Sequence, residues 1–186
     1  MGGLAVAAAG WVNMWNMTNR KLKRTLVLLL LVIGNVGCDQ VSKTIARQRI
    51  DYGEQLQWLS GYFTITRVEN RGAFLSLGHM LPDGVRFVLL SVLPLVVLLY
   101  GLYYLLTQTG MPRLLALGLG FALGGGLGNL YDRWRHGSVT DFMHIDFGVF
   151  QTGIFNMADV SLSLGVIIMF IALSRERRDG IKQEVE

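Results

Sequence analysis

Long apolar stretches separated by shorter polar segments dominate the chain. Four of these stretches are close to the ~20 residues that a helix needs to cross a bilayer. They show no alternation of apolar and polar positions with a period of two, which argues against a transmembrane β-barrel. The pattern therefore predicts four transmembrane helices, at about residues 25–46, 85–106, 114–131 and 154–173.

The segment between the first two predicted helices is too long to be a simple connector. Its stretch from Gln57 to Val68, QWLSGYFTITRV, is rich in β-branched and aromatic residues around a Ser-Gly pair. Such a composition is typical of a short hairpin or small sheet, and aromatic rings also suit the headgroup zone of a membrane. We therefore expect a small β subdomain at the membrane surface, beside an otherwise all-α polytopic membrane fold.

The composition supports a membrane protein. Hydrophobic residues make up 52 % of the 186 residues and charged residues 16 %, whereas soluble domains carry about 25 % charged residues. The formal net charge is +4, but the basic residues concentrate near the ends of predicted helices and do not interleave with aromatics along one face. A nucleic-acid partner is therefore not expected. The single cysteine, Cys38, excludes an intrachain disulfide.

The positions of the basic residues predict how the chain crosses the membrane. Lys and Arg residues precede the first predicted helix, occupy the turn between the second and third, and follow the fourth. The positive-inside rule makes that side cytoplasmic, although arginines also lie in both opposing loops. We expect residues 20–178 to form one four-helix domain, with residues 1–19 as a disordered extension and residues 179–186 as a cytoplasmic tail.

Glycine recurs at every fourth position of the third predicted helix, at Gly120, Gly124 and Gly128. This spacing places the three glycines on one helix face, where a second helix can approach closely. A phosphate-binding loop is the competing interpretation, but the motif G-x-x-x-x-G-K-[ST] is missing. The glycines therefore indicate tight helix packing.

Two ionisable residues fall inside the first predicted helix. Charged side chains within a bilayer cost at least ~2.5 kcal/mol each on insertion scales, so their presence needs a physical reason. Asp39 and Lys43 are four positions apart and share a helix face. The spacing favours an internal ion pair that orients the helix.

Carboxylates and amides gather where the third predicted helix ends and the fourth begins. The residues are Asn129, Arg133, Asp141, Asn156 and Asp159. Two neighbouring carboxylates cannot both ionise cheaply and tend to share one proton. One can then activate a water molecule while the other polarises a carbonyl, as in aspartic proteases. An intramembrane proton or ion pathway, such as that of a small transporter, fits the same spacing.

Other site chemistries lack their sequence patterns. Asp132 is followed by Arg133 and Arg135, so we expect it in a surface ion pair. The three histidines do not have the spacing of zinc ligands, and we expect neither a metal nor another cofactor. Serine catalysis lacks a G-x-S-x-G elbow, and intramembrane proteases of the presenilin type would need a G-x-G-D motif. The run before Cys38 imitates a lipoprotein signal peptide, but three more predicted helices follow it.

Five short blocks, in order, resemble the lipoprotein signal peptidase family, also called signal peptidase II. They read DQVSK, NRGAF, GNLYDR, VTDF and FNMAD, beginning at Asp39, Asn70, Gly128, Val139 and Phe155. The resemblance covers nearly all of residues 21–175. It implies a four-helix enzyme of the bacterial cytoplasmic (inner) membrane, with a β-cradle and an active site on the periplasmic side and both termini in the cytoplasm.

The resemblance also implies an activity and roles for individual residues. Asp141 and Asp159 would be the catalytic aspartates of an endopeptidase that cuts diacylglyceryl-modified prolipoproteins before the lipidated cysteine. The substrate-binding residues would be Asn70, Gly72, Asn129, Arg133, Asn156 and Ala158, supported by Asp39 and Lys43. The implied partners are prolipoprotein substrates, membrane lipids and inhibitors such as the cyclic peptide globomycin.

Overall fold

A computed structural model describes the backbone of residues 2–72 and 80–185, and the side chains of residues 19–72 and 80–178. In this part of the chain, four helical segments are long and apolar enough to cross a membrane, which confirms the predicted all-α polytopic class. These four spans are Asn19–Arg49 in helix α1 (Gly2–Arg49), Asp83–Thr107, Arg113–His136 (α4), and Met157–Arg178 in α5 (Met157–Val185).

The second span is built from three consecutive pieces, namely α2 (Asp83–Phe87), a π-helical turn (Val88–Val92) and α3 (Leu93–Thr107). Helix α1 begins before the first span. Its backbone is helical from Gly2 onward, within the segment that we expected to be a disordered extension. The side chains of residues 2–18 lie outside the described part. The division of the chain into extension, domain and tail therefore stays a prediction.

The helices that flank the candidate site end and begin later than the apolar pattern indicates. Helix α4 continues through polar residues to His136 and stops at Gly137, whose φ of 73° is the left-handed conformation common just after a helix. Helix α5 begins only at Met157, because Phe155 still pairs with Met143 in an antiparallel bridge. The connection between α4 and α5 therefore contains a strand, Val139–Ile145, followed by irregular backbone that pairs with it at isolated bridges.

A three-stranded antiparallel sheet stands beside the helices. Strands β1 (Gln55–Trp58) and β2 (Phe63–Asn70) form a hairpin, which confirms the small β subdomain. The third strand, β3 (Val139–Ile145), was not predicted; it pairs with β2. The register places Val68 opposite Asp141, so the sheet carries one of the candidate aspartates.

Helix α4 is the central helix and contacts α1, α3 and α5. The glycine face predicted for close packing lies against α1. A Cβ atom at Gly124 would be 2.5 Å from Asn35 Cβ, and one at Gly128 would be 2.6 Å from Asp39 Oδ2. The close approach of α1 and α4 therefore requires glycine at these positions, and it brings the Asp39 carboxylate directly against α4.

Candidate active site

Asp141 lies in β3 with only 4 % of its surface exposed, and two asparagines hold its carboxylate. Asn70 Nδ2, at the end of β2, donates to Oδ2 at 3.0 Å, and Asn156 Nδ2 donates to Oδ1 at 2.6 Å. Burial raises the pKa of Asp141 to about 6; the hydrogen bond from Asn70 opposes the shift, and the negative charge of Asp159 adds to it. This carboxyl group therefore holds a proton more readily than an ordinary aspartate.

Asp159 lies in the first turn of α5. Its Oδ1 accepts a hydrogen bond from Asn129 Nδ2 at 2.8 Å, and its Oδ2 accepts one from the backbone N–H of Asn156 at 3.1 Å. The side chain of Asn156 thus donates to Asp141, while its backbone donates to Asp159. One residue therefore contacts both candidate carboxylates and places them at the same site.

Lys43 orients the amide of Asn129. Its Nζ donates to Asn129 Oδ1 at 2.9 Å, and Asn156 Nδ2 donates to the same oxygen at 3.1 Å. Because two donors meet the oxygen, the Nδ2 of Asn129 is left to face Asp159. Lys43 also forms the predicted ion pair with Asp39, at 2.8 Å between two fully buried side chains.

Asp132 completes a buried charge cluster around Lys43. Its Oδ2 lies 3.1 Å from Lys43 Nζ and accepts the backbone N–H of Thr140 at 3.2 Å, while its Oδ1 lies 2.9 Å from a guanidinium nitrogen of Arg47. Asp132 is fully buried. Two carboxylates and two cations, contributed by α1 and α4, therefore form the floor beneath the candidate site.

The prediction that Asp132 forms a surface ion pair with Arg133 and Arg135 is wrong. Since α4 continues to His136, Asp132 follows Gly128 by four positions and extends the glycine face that packs on α1. The carboxylate consequently points into the interface between α1 and α4 rather than towards its sequence neighbours.

Arg133 and Gly72 close the other side of the site. A guanidinium nitrogen of Arg133 donates to the carbonyl oxygen of Gly72 at 3.1 Å, and the N–H of Gly72 donates to Asn70 Oδ1 at 2.9 Å. Among the described residues, the buried Nε of Arg133 meets no hydrogen-bond acceptor. This N–H group is thus a buried donor without an acceptor among the residues that the structure describes.

Ala158 is fully buried, and its backbone N–H donates to Asp39 Oδ1 at 2.9 Å. The carboxylate of Asp39 therefore satisfies one of the N–H groups that a helix start leaves without an intrahelical partner. With this contact, every site residue predicted from the sequence belongs to one hydrogen-bonded cluster. The individual roles of these residues stay predictions.

Comparison with known proteins decides between the protease and the ion pathway that the spacing left open. A family model described as signal peptidase (SPase) II matches residues 30–175. The chain belongs to the signal peptidase II family. The enzymes of this family are aspartic proteases, so the clustered carboxylates belong to a peptidase and not to a transporter.

Similar relatives and solved structures agree with this membership. The lipoprotein signal peptidase of Streptococcus pneumoniae is 36 % identical over 159 residues, covering 86 % of this chain and 99 % of the relative. The enzyme of the same name from Listeria monocytogenes is 32 % identical, with coverages of 82 % and 97 %. A bacterial membrane enzyme solved by the in meso method aligns with a TM-score of 0.72 at 26 % identity, covering 82 % of this chain and 90 % of the other. A second such structure has a TM-score of 0.69 at 28 % identity, with coverages of 79 % and 92 %.

Proposed function

We propose that this signal peptidase II removes signal peptides from diacylglyceryl-modified prolipoproteins, with Asp141 and Asp159 as its catalytic pair. The reaction is hydrolysis of the peptide bond before the lipidated cysteine. The relatives named lipoprotein signal peptidase support the substrate class. The observation that supports this catalytic pair is that Asn156 contacts both aspartates. Its side chain donates to Asp141, and its backbone N–H donates to Asp159.

The environments of the two carboxylates support different roles. With its pKa raised to about 6 by burial, Asp141 is the better candidate to hold the shared proton and donate it to the scissile carbonyl oxygen. Asp159 is held in place by hydrogen bonds from the side chain of Asn129 and from the backbone N–H of Asn156. We assign it the activation of water, the role that is left once Asp141 holds the shared proton. In this mechanism Asp159 takes a proton from the attacking water as the new C–O bond forms. That proton then passes to the leaving amine nitrogen as the C–N bond breaks, while a hydroxyl of the tetrahedral intermediate returns its proton to Asp141 and the carbonyl re-forms.

The residues around the pair are suited to hold an extended substrate. Arg133 can offer its buried Nε–H, which has no acceptor among the described residues, to a substrate carbonyl, and Asn70 and Gly72 line the same edge. Asn129, Asn156 and Ala158 would complete the substrate contacts at the start of α5. Both the lipidated cysteine and the apolar signal helix partition into lipid, so the substrate is expected to enter sideways between the helices. Globomycin would compete for the same site.

The chain is a multi-pass membrane protein, and we place it in the bacterial inner membrane with both termini cytoplasmic. Arg24, at the basic start of the first span, donates to the carbonyls of Leu105 and Gln108 at the end of α3. The basic start of the first span and the end of the second span therefore lie together, at the opposite end of α1 from Lys43. With the basic end in the cytoplasm, the carboxylate pair faces the periplasmic side, where water is available.

Cleavage of a purified diacylglyceryl prolipoprotein tests this function. We expect Asp141→Asn and Asp159→Asn each to abolish the mobility shift on a gel while the purified proteins keep a cooperative thermal transition. Asp146→Asn is a matched control, because this aspartate lies in the same connection between α4 and α5. Among the described residues, its carboxylate accepts a hydrogen bond only from the backbone N–H of Gly148. If both active-site variants cleaved at near-normal rates, the assignment of the pair would be wrong. Failure of globomycin to inhibit the wild type would count against a shared site.

A further inference from the structure

A second group of polar residues surrounds Thr140, the fully buried residue just before Asp141. The Thr140 hydroxyl donates to the carboxylate of Glu69 at 3.0 Å and accepts a hydrogen bond from Arg47 Nε at 2.8 Å. Its backbone N–H donates to Asp132 Oδ2 at 3.2 Å. Residues from α1, β2 and α4 thus hold both the side chain and the backbone of Thr140. We call Thr140 together with its side-chain partners Glu69 and Arg47 the anchor.

The alternation of side chains along a strand connects this group to the catalytic pair. Successive side chains of a strand point to opposite faces, and Glu69 is the registered partner of Thr140. The next residue on β2, Asn70, and the next on β3, Asp141, then meet on the other face at 3.0 Å. Each strand therefore contributes one residue to the anchor and the following one to the active site.

Arg47 is the residue that joins the anchor to the buried charges. Its Nε donates to Thr140, while a second guanidinium nitrogen lies 2.9 Å from Asp132 Oδ1. Its backbone carbonyl accepts a hydrogen bond from Arg67 at 3.0 Å, which ties β2 to the same turn of α1. A planar guanidinium reaches both Thr140 and Asp132 from fixed directions, which the single ammonium of lysine cannot reproduce.

We propose that Arg47 and Thr140 are positioning residues, which hold the β3 backbone so that Asp141 meets Asn70 and Asn156 in its working geometry. This inference rests on the proposed catalytic role of Asp141. In this proposal both residues act through Asp141 and not by contact with the substrate. In metal sites, the loss of a residue that orients a ligand through a hydrogen bond typically lowers activity by about 10–100-fold. We expect a loss near the lower end of that range here.

A positioning role has a consequence for the ionisation of Asp141. The charged groups that act on it are Asp159 from α5, Lys43 from α1 and Arg133 from α4. The hydrogen bonds from Asn70 and Asn156 favour its ionised form. If β3 shifts and these bonds lengthen, the pKa of Asp141 rises further. A loss of packing alone would leave the pH dependence of turnover unchanged.

The test compares Thr140→Val, which removes the hydroxyl, with Thr140→Ser, which keeps it. The full-length protein is purified in detergent, and kcat and KM for a diacylglyceryl prolipoprotein are measured across a range of pH. We expect Thr140→Val to lower kcat about tenfold, to leave KM within about twofold, and to move the ionisation seen in kcat to higher pH. Thr140→Ser should keep the wild-type kcat and the wild-type pH dependence of kcat. Thr66→Val is the control, since Thr66 is also buried in β2 but pairs with Gln55 of β1.

Arg47→Lys and Arg47→Met extend the test to the guanidinium, and both should shift the pH profile in the same direction as Thr140→Val. Arg47→Met leaves the buried Asp132 with one cation fewer and can therefore impair folding. Thr140→Val removes no charge, so the test does not depend on whether the Arg47 variants fold. The proposal is overturned if Thr140→Val lowers only the melting temperature, with wild-type kcat and pH profile per folded molecule. Asp141→Asn separates the two hypotheses: an active Asp141→Asn defeats the proposed function, whereas an inactive one beside a fully active Thr140→Val defeats only this inference.

Discussion

Asn156 and Asp159 hydrogen-bond each other twice at the start of α5. The backbone N–H of Asp159 donates to Asn156 Oδ1 at 3.0 Å, and the backbone N–H of Asn156 donates to Asp159 Oδ2 at 3.1 Å. This reciprocal arrangement is a capping box, which satisfies N–H groups that a helix start leaves without partners. A proposed catalytic carboxylate therefore also helps α5 to begin where it does.

Substitutions of Asn156 should separate its capping role from its contact with Asp141. Serine is a good helix cap but has no amide to donate to Asp141, whereas alanine provides neither. We expect Asn156→Ser to be about 1 kcal/mol more stable than Asn156→Ala, with both variants losing most of their cleavage activity. Thermal unfolding and prolipoprotein cleavage measure the two effects. Wild-type turnover by Asn156→Ser would mean that the amide contact with Asp141 is dispensable.

The raised pKa of Asp141 predicts a pH-dependent stability. Burial moves this pKa from 3.8 to about 6, so between these values the native state holds a proton that the unfolded chain has released. The contribution of Asp141 to the free energy of unfolding is therefore fully present below about pH 4 and is lost as the pH rises through about 6. The loss is at most about 3 kcal/mol, at 1.36 kcal/mol per unit.

Asp141→Asn removes this titration. We expect the stability of Asp141→Asn relative to wild type to increase between about pH 4 and pH 7, because only the wild type carries the growing cost of a buried charge. Unfolding midpoints of the two purified proteins, measured side by side across this range, give the difference directly. A difference that stayed constant with pH would show that Asp141 titrates alike in the folded and unfolded states.

The parts of the fold that follow from local composition could be predicted from the sequence. Apolar length indicates the spans, and β-branched residues around Ser60 and Gly61 indicate the hairpin. Strand β3 was missed because Val139–Phe142 is buried on both faces, so it lacks the alternation that marks a half-exposed strand. The start of α5 was placed too early, because Phe155 is apolar but belongs to a bridge with β3.

The partners of the site residues were predictable only where helix spacing brings them together. The Asp39–Lys43 pair follows from a separation of four positions. Arg47 lies four positions further along the same helix face, and this spacing also indicates a place for Arg47 in the buried charge cluster. Asp132 was misplaced because its nearest basic residues in sequence are not its partners. Arg47 lies 85 positions away along the chain, and only the packing of α1 on α4 joins the two.

Loss of the Lys43 charge should affect stability more than turnover. Lys43 lies between Asp39 and Asp132, and all three side chains are fully buried. Removing the cation leaves two carboxylates in a buried site with less compensation, which typically costs about 3–5 kcal/mol. Asn129 keeps its orientation in the variant because Asn156 still donates to its Oδ1. We therefore expect Lys43→Met to lower the melting temperature strongly while turnover per folded molecule falls much less.

A double variant provides the control for Lys43→Met. Asp39→Asn combined with Lys43→Met removes one carboxylate along with the cation, so the remaining charge imbalance is smaller and part of the lost stability should return. Thermal unfolding of the two single variants and the double variant measures this coupling. Strictly additive effects, or a collapse of turnover by Lys43→Met at wild-type stability, would contradict a supporting role for the ion pair.

Alanine substitutions of glycine should reveal how closely α1 and α4 approach each other. A Cβ at Gly124 would lie 2.5 Å from Asn35 Cβ and 3.2 Å from the Val32 carbonyl oxygen, so one helix must move. Gly37, on α1, has no atom within 4 Å of the added Cβ among the described residues. Alanine favours a helix over glycine by about 1 kcal/mol, whereas overpacking costs about 1–3 kcal/mol. We expect Gly124→Ala to lower the melting temperature and Gly37→Ala to keep or raise it.

Gly124→Ala also has a functional consequence that Gly37→Ala lacks. Gly124 precedes Gly128 by one turn, and Gly128 lies against the carboxylate of Asp39 that caps α5. If α1 moves away from α4, Asp39 moves away from the start of α5, where Asp159 is held. Cleavage per folded molecule should therefore fall for Gly124→Ala and remain at the wild-type level for Gly37→Ala. Equal stability and equal turnover of the two variants would mean that α1 and α4 are not in close contact at this point.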